Sequence, residues 1–195
     1  MKMIKIEKWF MNRPQHAERV INRAEKLLQF INVKEKQNFL EVGCGNGAVS
    51  KHMATKYLLN VTGIDIDPEQ IQLAQESIDD MPAIRFLAGD ATDLPFQDND
   101  FDIVLSFGVM HHISNWLEAL KEIRRTLKPK GYFIYMDIIY SDLIAKFGRS
   151  FKHSYGIITM PDLTSFFQQN DFSPVHTSLK NSLFLHNYEA VYQRN

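Results

Sequence analysis

Phe39-Leu40-Glu41-Val42-Gly43-Cys44-Gly45-Asn46-Gly47 is an apolar run that empties into three alternating glycines. The pattern predicts a buried strand entering a tight bend. A second apolar run, Val61-Thr62-Gly63-Ile64-Asp65-Ile66-Asp67, ends on carboxylates. A strand into a glycine bend, then a strand ending on an acid, is how an open α/β sheet holds a ribose-bearing cofactor. The spacing of the glycines narrows the ligand. They fall at 43, 45 and 47, whereas the dinucleotide fingerprint needs its third glycine one position later, so that a helix start faces a pyrophosphate. A bend of this kind suits a ligand without a phosphate bridge.

Outward from these segments, strand and helix patterns alternate. Expected strands are 38 to 43, 60 to 65, 83 to 88, 101 to 106 and 131 to 138. Expected helices are about 46 to 57, 68 to 78 and 115 to 127. Val20, Ile21, Ala24, Leu27, Leu28 and Ile31 recur at helical spacing and predict an amphipathic helix within 12 to 31 that packs on the sheet. Nearly continuous apolar strands separated by helices imply a mostly parallel sheet covered on both faces. Asp67 before Pro68 predicts a helix cap, and Asn115 with Glu118 has capping-box spacing. Lys128-Pro129-Lys130-Gly131 is expected to stop the helix before it. Beyond 139 the chain is less regular, with a helix near 161 to 169 opened by Thr159 and Pro161. Strand-like runs at 174 to 180 and 183 to 192 predict a terminal antiparallel hairpin.

Composition bounds the function. The chain has 195 residues, 45% apolar and 23% charged, with a formal charge of -1. One core is expected at this length, and a near-neutral chain offers no broad basic field for nucleic acid. The single cysteine, Cys44, allows no internal disulfide and fits a reducing compartment. It reads as a small residue in a tight loop rather than a nucleophile. No stretch reaches the roughly 18 apolar residues of a membrane span, so the expectation is a soluble, unprocessed, cytoplasmic protein. The oligomeric state is not legible.

Within the crevice, Asp65 stands where a carboxylate accepts both hydroxyls of a ribose diol, and Ile66 beside it covers one face of a base. Gly89-Asp90-Ala91 ends the third strand, placing the Asp90 side chain and the Ala91 amide where an adenine edge would lie. Phe107, past the fourth strand, is open to two roles, closing the pocket or filling the core. His111-His112 follows at the carboxyl ends of the strands, where at most one of the two is expected to take a proton from an acceptor. A metal-assisted route lacks the hard oxygen ligands it needs, because Asp137 has no carboxylate partner at the end of the fourth strand, where Ser106 and Phe107 stand. Asp137 itself reads as a solvated loop start, or with Tyr140 as an acceptor-orienting residue.

These segments resemble the class I S-adenosylmethionine-dependent methyltransferases. Glu41 to Gly47 is similar to that family's glycine motif, Gly63 to Pro68 to its acidic ribose motif, and Gly89 to Phe96 to its adenine motif. Phe101 to Ser106 and Leu127 to Phe133 complete the series in order, with a flavour of the small-molecule branch that includes ubiquinone and menaquinone biosynthesis methyltransferases. The resemblance implies a Rossmann-like three-layer α/β sandwich whose seven-stranded, mostly parallel sheet has the order 3-2-1-4-5-7-6, with the last hairpin antiparallel. It divides the single domain, 1 to 195, into a cap helix region to 36, a cofactor-binding core from 37 to 138 and an acceptor-side segment from 139. It implies S-adenosyl-L-methionine as cofactor and S-adenosyl-L-homocysteine as product. Glu41, Gly43, Gly45, Gly47, Asp65, Ile66, Asp90, Ala91 and Phe107 would hold the cofactor, with no metal.

Acceptor choice is expected outside the motifs, in 9 to 16 and 140 to 160. Trp9, Phe10, Tyr140, Phe147, Phe151, Tyr155 and Met160 supply aromatic and apolar surface for a planar or apolar small molecule. Lys146, Arg149, Lys152 and His153 bias the second stretch positive. Two other readings stand beside methyl transfer: a cofactor-binding module without turnover, and a nicotinamide-dependent oxidoreductase.

Overall fold

The computed structural model describes residues 12–78, 81–148, 156–180, 182 and 185–195. Seven strands form one sheet in the order β3-β2-β1-β4-β5-β7-β6. They are β1 Asn38–Val42, β2 Asn60–Asp65, β3 Ile84–Ala88, β4 Phe101–Phe107, β5 Leu127–Tyr140, β6 Phe172–Lys180 and β7 Leu185–Arg194. The first five are mutually parallel, and β7 runs antiparallel to both β5 and β6. The expected sheet order and terminal hairpin are both present.

Helices cover the two faces because alternate residues of each strand point opposite ways. On one face lie α1 Pro14–Leu28, α2 Ala48–Tyr57 and α3 Pro68–Glu76, where Leu27, Met53 and Ala74 meet Phe39, Val61 and Ile103. On the other lie α4 Trp116–Thr126 and α6 Met160–Gln169, where Leu120, Ile123, Phe166 and Phe167 meet Leu40, Val104 and Phe133. The chain carries α5, Asp142–Gly148, between β5 and α6. Each face thereby buries an apolar stripe whose side chains are worth roughly 1.5–3 kcal/mol apiece in transfer terms.

Local signals act as read at several boundaries. The Asp67 side chain accepts the Glu69 N–H at 3.1 Å, with Pro68 opening α3. Thr159 and Asp162 form a reciprocal capping box at the start of α6. Asn115 is a correction: its side chain makes no capping bond, and its φ and ψ of -100° and 48° are not those of an extended cap. Position 128 to 131 differs too. The helix stops there, but β5 already begins at Leu127, and the register with β4 slips between Phe101 and Ile103, so the extra residues bulge out.

The strand order reverses direction between β1 and β4, where the chain leaves β1 for β2 on one side and reaches β4 on the other. A crevice opens at the carboxyl ends of strands at such a switch point. The glycine bend lies in it.

Candidate functional site

The loop after β1 is built around two glycines that the protein's own packing requires. A Cβ on Gly47, at φ 78°, would stand 2.5 Å from the Phe86 ring and 3.0 Å from the Ala74 Cβ, and one on Gly43 would meet the Val109 side chain at 2.2 Å. Gly45 differs. At φ 51° its nearest neighbour would be Gln70 Oε1, 3.8 Å away, so the space over Gly45 is open. Of the three glycines, only Gly45 leaves room for a ligand to lie against the backbone.

Asp65 ends β2 directly opposite. Its Oδ2 accepts the Gly45 N–H at 2.9 Å and its Oδ1 accepts the Asp67 N–H at 2.9 Å, so the bend fixes the carboxylate in place. Burial pushes its pKa up, against the opposing pull of those two backbone bonds. With one donor on each oxygen and 9% exposure, the group keeps lone pairs for further donors. Glu41 lies deeper on β1. The Ser50 hydroxyl donates to its Oε2 at 2.5 Å, and burial lifts its pKa to about 8.

These groups line a cavity of about 510 Å³. All the predicted cofactor residues except Gly47 line it: Glu41, Gly43, Gly45, Asp65, Ile66, Asp90, Ala91 and Phe107. Gly47 sits behind the bend as the residue before α2. Ile66 is 45% exposed at the rim, an arrangement suited to covering a ring. Asp90 is exposed, with Oδ1 accepting the Thr92 N–H and hydroxyl at 2.9 and 2.8 Å, so it shapes its turn while facing the cavity. Burial holds the Cys44 thiol well above its ordinary pKa, which fits a packed residue of the loop rather than a nucleophile.

His111 and His112 both reach the cavity from a single 3₁₀ turn, Met110–His112, that follows β4. Their rings lie 3.9 Å apart between centroids. They differ in what holds them: His111 Nδ1 is 2.5 Å from Asp137 Oδ1. Asp137 is therefore a correction to its reading as a solvated loop start, since its side chain is 1% exposed. It is buried because it also accepts the N–H groups of Met110, His111 and Ile138, which replace the water it gives up.

Sequence reasoning reached His16 only as the end of the 9 to 16 stretch and missed other lining residues. His16, Ala17 and Val20 present one face of α1 to the cavity, and Gln70, Val109 and Met136 also line it. Gln70 is 2% exposed, and its Oε1 has no partner among the described residues. Burial, and the charge of Arg19, lower the His16 pKa. Of the acceptor-side residues, Met160 packs against the core and Tyr140 donates its N–H to Ile158 O at 2.8 Å. Lys146 is exposed on α5. Trp9, Phe10, Arg149, Phe151, Lys152, His153 and Tyr155 lie outside the described residues, as does the side chain of Phe147. No helix among the described residues is long and apolar enough to cross a membrane.

The site can accept hydrogen bonds from a diol, hold a flat ring at Ile66 and place an imidazole across from both. A set of acceptors of this kind, with an open backbone at Gly45 and a Gln70 oxygen unpartnered among the described residues, suits a ligand rich in hydrogen-bond donors. Residues 40–135 match the family model described as a methyltransferase domain. The chain is 36% identical over 108 residues to a phthiotriol/phenolphthiotriol dimycocerosates methyltransferase of Mycobacterium ulcerans, covering 55% of this chain and 40% of that one. It is 32% identical over 116 residues to the demethylmenaquinone methyltransferase of Staphylococcus saprophyticus, covering 58% and 49%. The chain thus spans about half the length, or less, of the curated relatives it matches. In fold it is similar to geranyl diphosphate C-methyltransferase from Streptomyces coelicolor, with a TM-score of 0.73 at 14% identity over 94% of this chain and 87% of that one. The ordered motifs, the sheet order and these matches together place the chain in the class I S-adenosylmethionine-dependent methyltransferases.

Proposed function

We propose that the protein transfers a methyl group from S-adenosylmethionine directly, in line, to a small apolar or aromatic acceptor in the cytoplasm. The observation that carries this is the Asp65 carboxylate, held by the Gly45 and Asp67 N–H groups with its remaining lone pairs toward the cavity. Asp65 would bind the ribose diol, Gly43 and Gly45 the backbone side of the ligand, Ile66 a face of the base, and Asp90 and Ala91 its edge. Phe107 would close the far wall and Glu41 meet the cationic amino-acid end. The bound cofactor would supply a sulfonium-activated methyl group. The chain's residues then have to align the acceptor and exclude water, which by itself supplies up to about 7–11 kcal/mol in ideal cases.

Calorimetric titration with S-adenosylhomocysteine and with NAD tests the reading. Binding of the first alone is expected, and Asp65→Ala should weaken it by about 1–3 kcal/mol through loss of charge-assisted bonds. An intact Asp65→Ala protein with undiminished affinity would remove Asp65 from the site, and NAD binding in place of the nucleoside would sink the assignment.

A further inference from the structure

The two histidines of the 3₁₀ turn are not equivalent, and the difference names a substrate class. We propose that His111 and Asp137 form a proton-accepting pair serving an acceptor with an acidic hydroxyl, of the phenol or enol type, with Asp137 as the positioning residue. This rests on the methyl-transfer reading above.

The geometry is that of a fixed imidazole. Asp137 sits in β5 one residue past Met136, the last β5 residue paired with β4 (at Phe107), where β5 runs on beside β7 alone. The turn after β4 folds back over that point. Asp137 Oδ2 accepts the Met110 and His111 N–H groups at 2.8 and 3.3 Å, while Oδ1 accepts the Ile138 N–H at 2.7 Å and faces His111 Nδ1 at 2.5 Å. A carboxylate only accepts, so the ring presents Nδ1–H to it and the neutral imidazole carries its free lone pair on Nε2. Nε2 has no hydrogen-bond partner among the described residues, and His111 is a cavity-lining residue with 18% of its side chain exposed. Gly156 locks the turn from outside. Its N–H donates to His111 O at 2.9 Å, and a Cβ there would stand 2.4 Å from Ile113 O and 2.5 Å from Met110 O.

The chemistry then selects the acceptor. An imidazole is an efficient base for a group whose pKa lies within a few units of its own, as a phenol's does at about 10. As the acceptor oxygen bonds the methyl carbon, its proton passes to His111 Nε2 and the carbon–sulfur pair stays on sulfur, leaving a neutral thioether. The imidazolium formed is stabilised by Asp137. Thioethers and pyridine nitrogens have no proton to lose and gain nothing from this pair. The lining also fits a flat apolar ring, with Val109, Ile113, Phe107 and Met136 beside the histidines. The other titratable groups lining the cavity with His111 are the His112 ring on its own turn, Glu41, Cys44, Asp65, Asp90 and His16, with the buried Tyr135 hydroxyl near Asp137.

Nitrogen-15 NMR of histidine-labelled protein, with and without S-adenosylhomocysteine, reads the pair without turnover. At a pH where the ring has lost one proton, the expected result is a His111 that keeps the other on Nδ1, a preference lost in Asp137→Asn. An Nε2-protonated His111, or a tautomer unmoved by Asp137→Asn, overturns the proposal. Failure of S-adenosylhomocysteine to bind in the same samples strikes the cofactor reading instead. Turnover is read with hydroquinones and simple phenols against pyridines and thioethers. We expect methylation of the phenol set, falling at least a hundredfold in His111→Ala and partly restored by added imidazole. Asp137→Asn should lower kcat at least tenfold with KM within twofold, the deficit shrinking as rising pH ionises the phenol unaided. Methylation confined to the pyridine and thioether set, or phenol turnover indifferent to His111→Ala, overturns the pair; if neither set reacts, the tautomer result decides. Should Asp137→Asn fold poorly, His111→Ala with imidazole rescue answers the same question with Asp137 in place.

Discussion

The Ser50 hydroxyl donates to Glu41 Oε2 at 2.5 Å, tying the first turn of α2 to the end of β1 beneath the cavity floor. Burial raises the Glu41 pKa to about 8, so the group holds a proton in the folded chain over a range where the unfolded chain, titrating near the ordinary glutamate value of 4.5, has lost it. A folded state that binds the extra proton loses stability as pH rises. The contribution is whole below about pH 4.5 and declines up to about 8, by at most about 1.4 kcal/mol per pH unit. Glu41→Gln should flatten that slope, and urea denaturation of both proteins at pH 5, 6.5 and 8 measures it. Parallel slopes would show that Glu41 titrates normally.

Cofactor binding should be coupled to the same proton. A cationic amino group placed beside Glu41 favours its charged form, so binding of S-adenosylmethionine below pH 8 is expected to release a proton and to tighten as pH rises toward that value. Calorimetry in two buffers of different ionisation enthalpy counts the proton directly. Glu41→Gln should abolish the release, and an equal release from that variant would assign the proton to another group.

Gly47 and Gly45 should fail in different ways. Gly47→Ala adds a left-handed alanine whose Cβ collides with Phe86 at 2.5 Å, and strain plus overpacking together cost about 2–4 kcal/mol of stability. Gly45→Ala meets open space and should cost only about 1–2 kcal/mol of backbone strain, while intruding on the ligand. Denaturation midpoints and S-adenosylhomocysteine titration of the two variants should therefore rank in opposite orders. The same order in both measurements would contradict the division of labour between these glycines.

Arg125 braces the loop that carries Asp90 and Ala91. It donates to the carbonyls of Phe96 and Leu94 at 2.8 and 3.0 Å and pairs with Glu122, whose other contact is the Leu94 N–H at 2.9 Å. Arg125→Ala should cost about 1–2 kcal/mol, discounted because the side chain is 31% exposed. Hydrogen exchange in residues 89 to 98 is expected to quicken before the rest of the sheet. Uniform exchange across the sheet would deny the loop this separate anchor.

The sheet and its crevice were legible in the sequence because each depends on neighbours along the chain. The glycine bend, the carboxylate ending β2, the Asp67 cap over Pro68 and the Thr159 start of α6 are all set within a few residues. What could not be read depends on strands meeting in space. Asp137 and His111 are 26 residues apart and touch only because β4 and β5 run parallel in one register. A signal for them did exist: an acid near the end of β5 and a histidine shortly after its parallel neighbour β4. The cavity face of α1, with His16, Ala17 and Val20, is fixed by how that helix settles on the sheet, which periodicity alone leaves open. Asn115 failed as a cap because its backbone there is set by the preceding turn, and spacing carries no information about that dihedral.

Gly156 and Ile158 moor the stretch that returns from α5: one bonds to the carbonyl of His111, the other to the amide of Tyr140. The turn that carries the imidazole is thereby tethered to the end of β5 through residues 156 to 158, so loosening either tether would be felt at the ring.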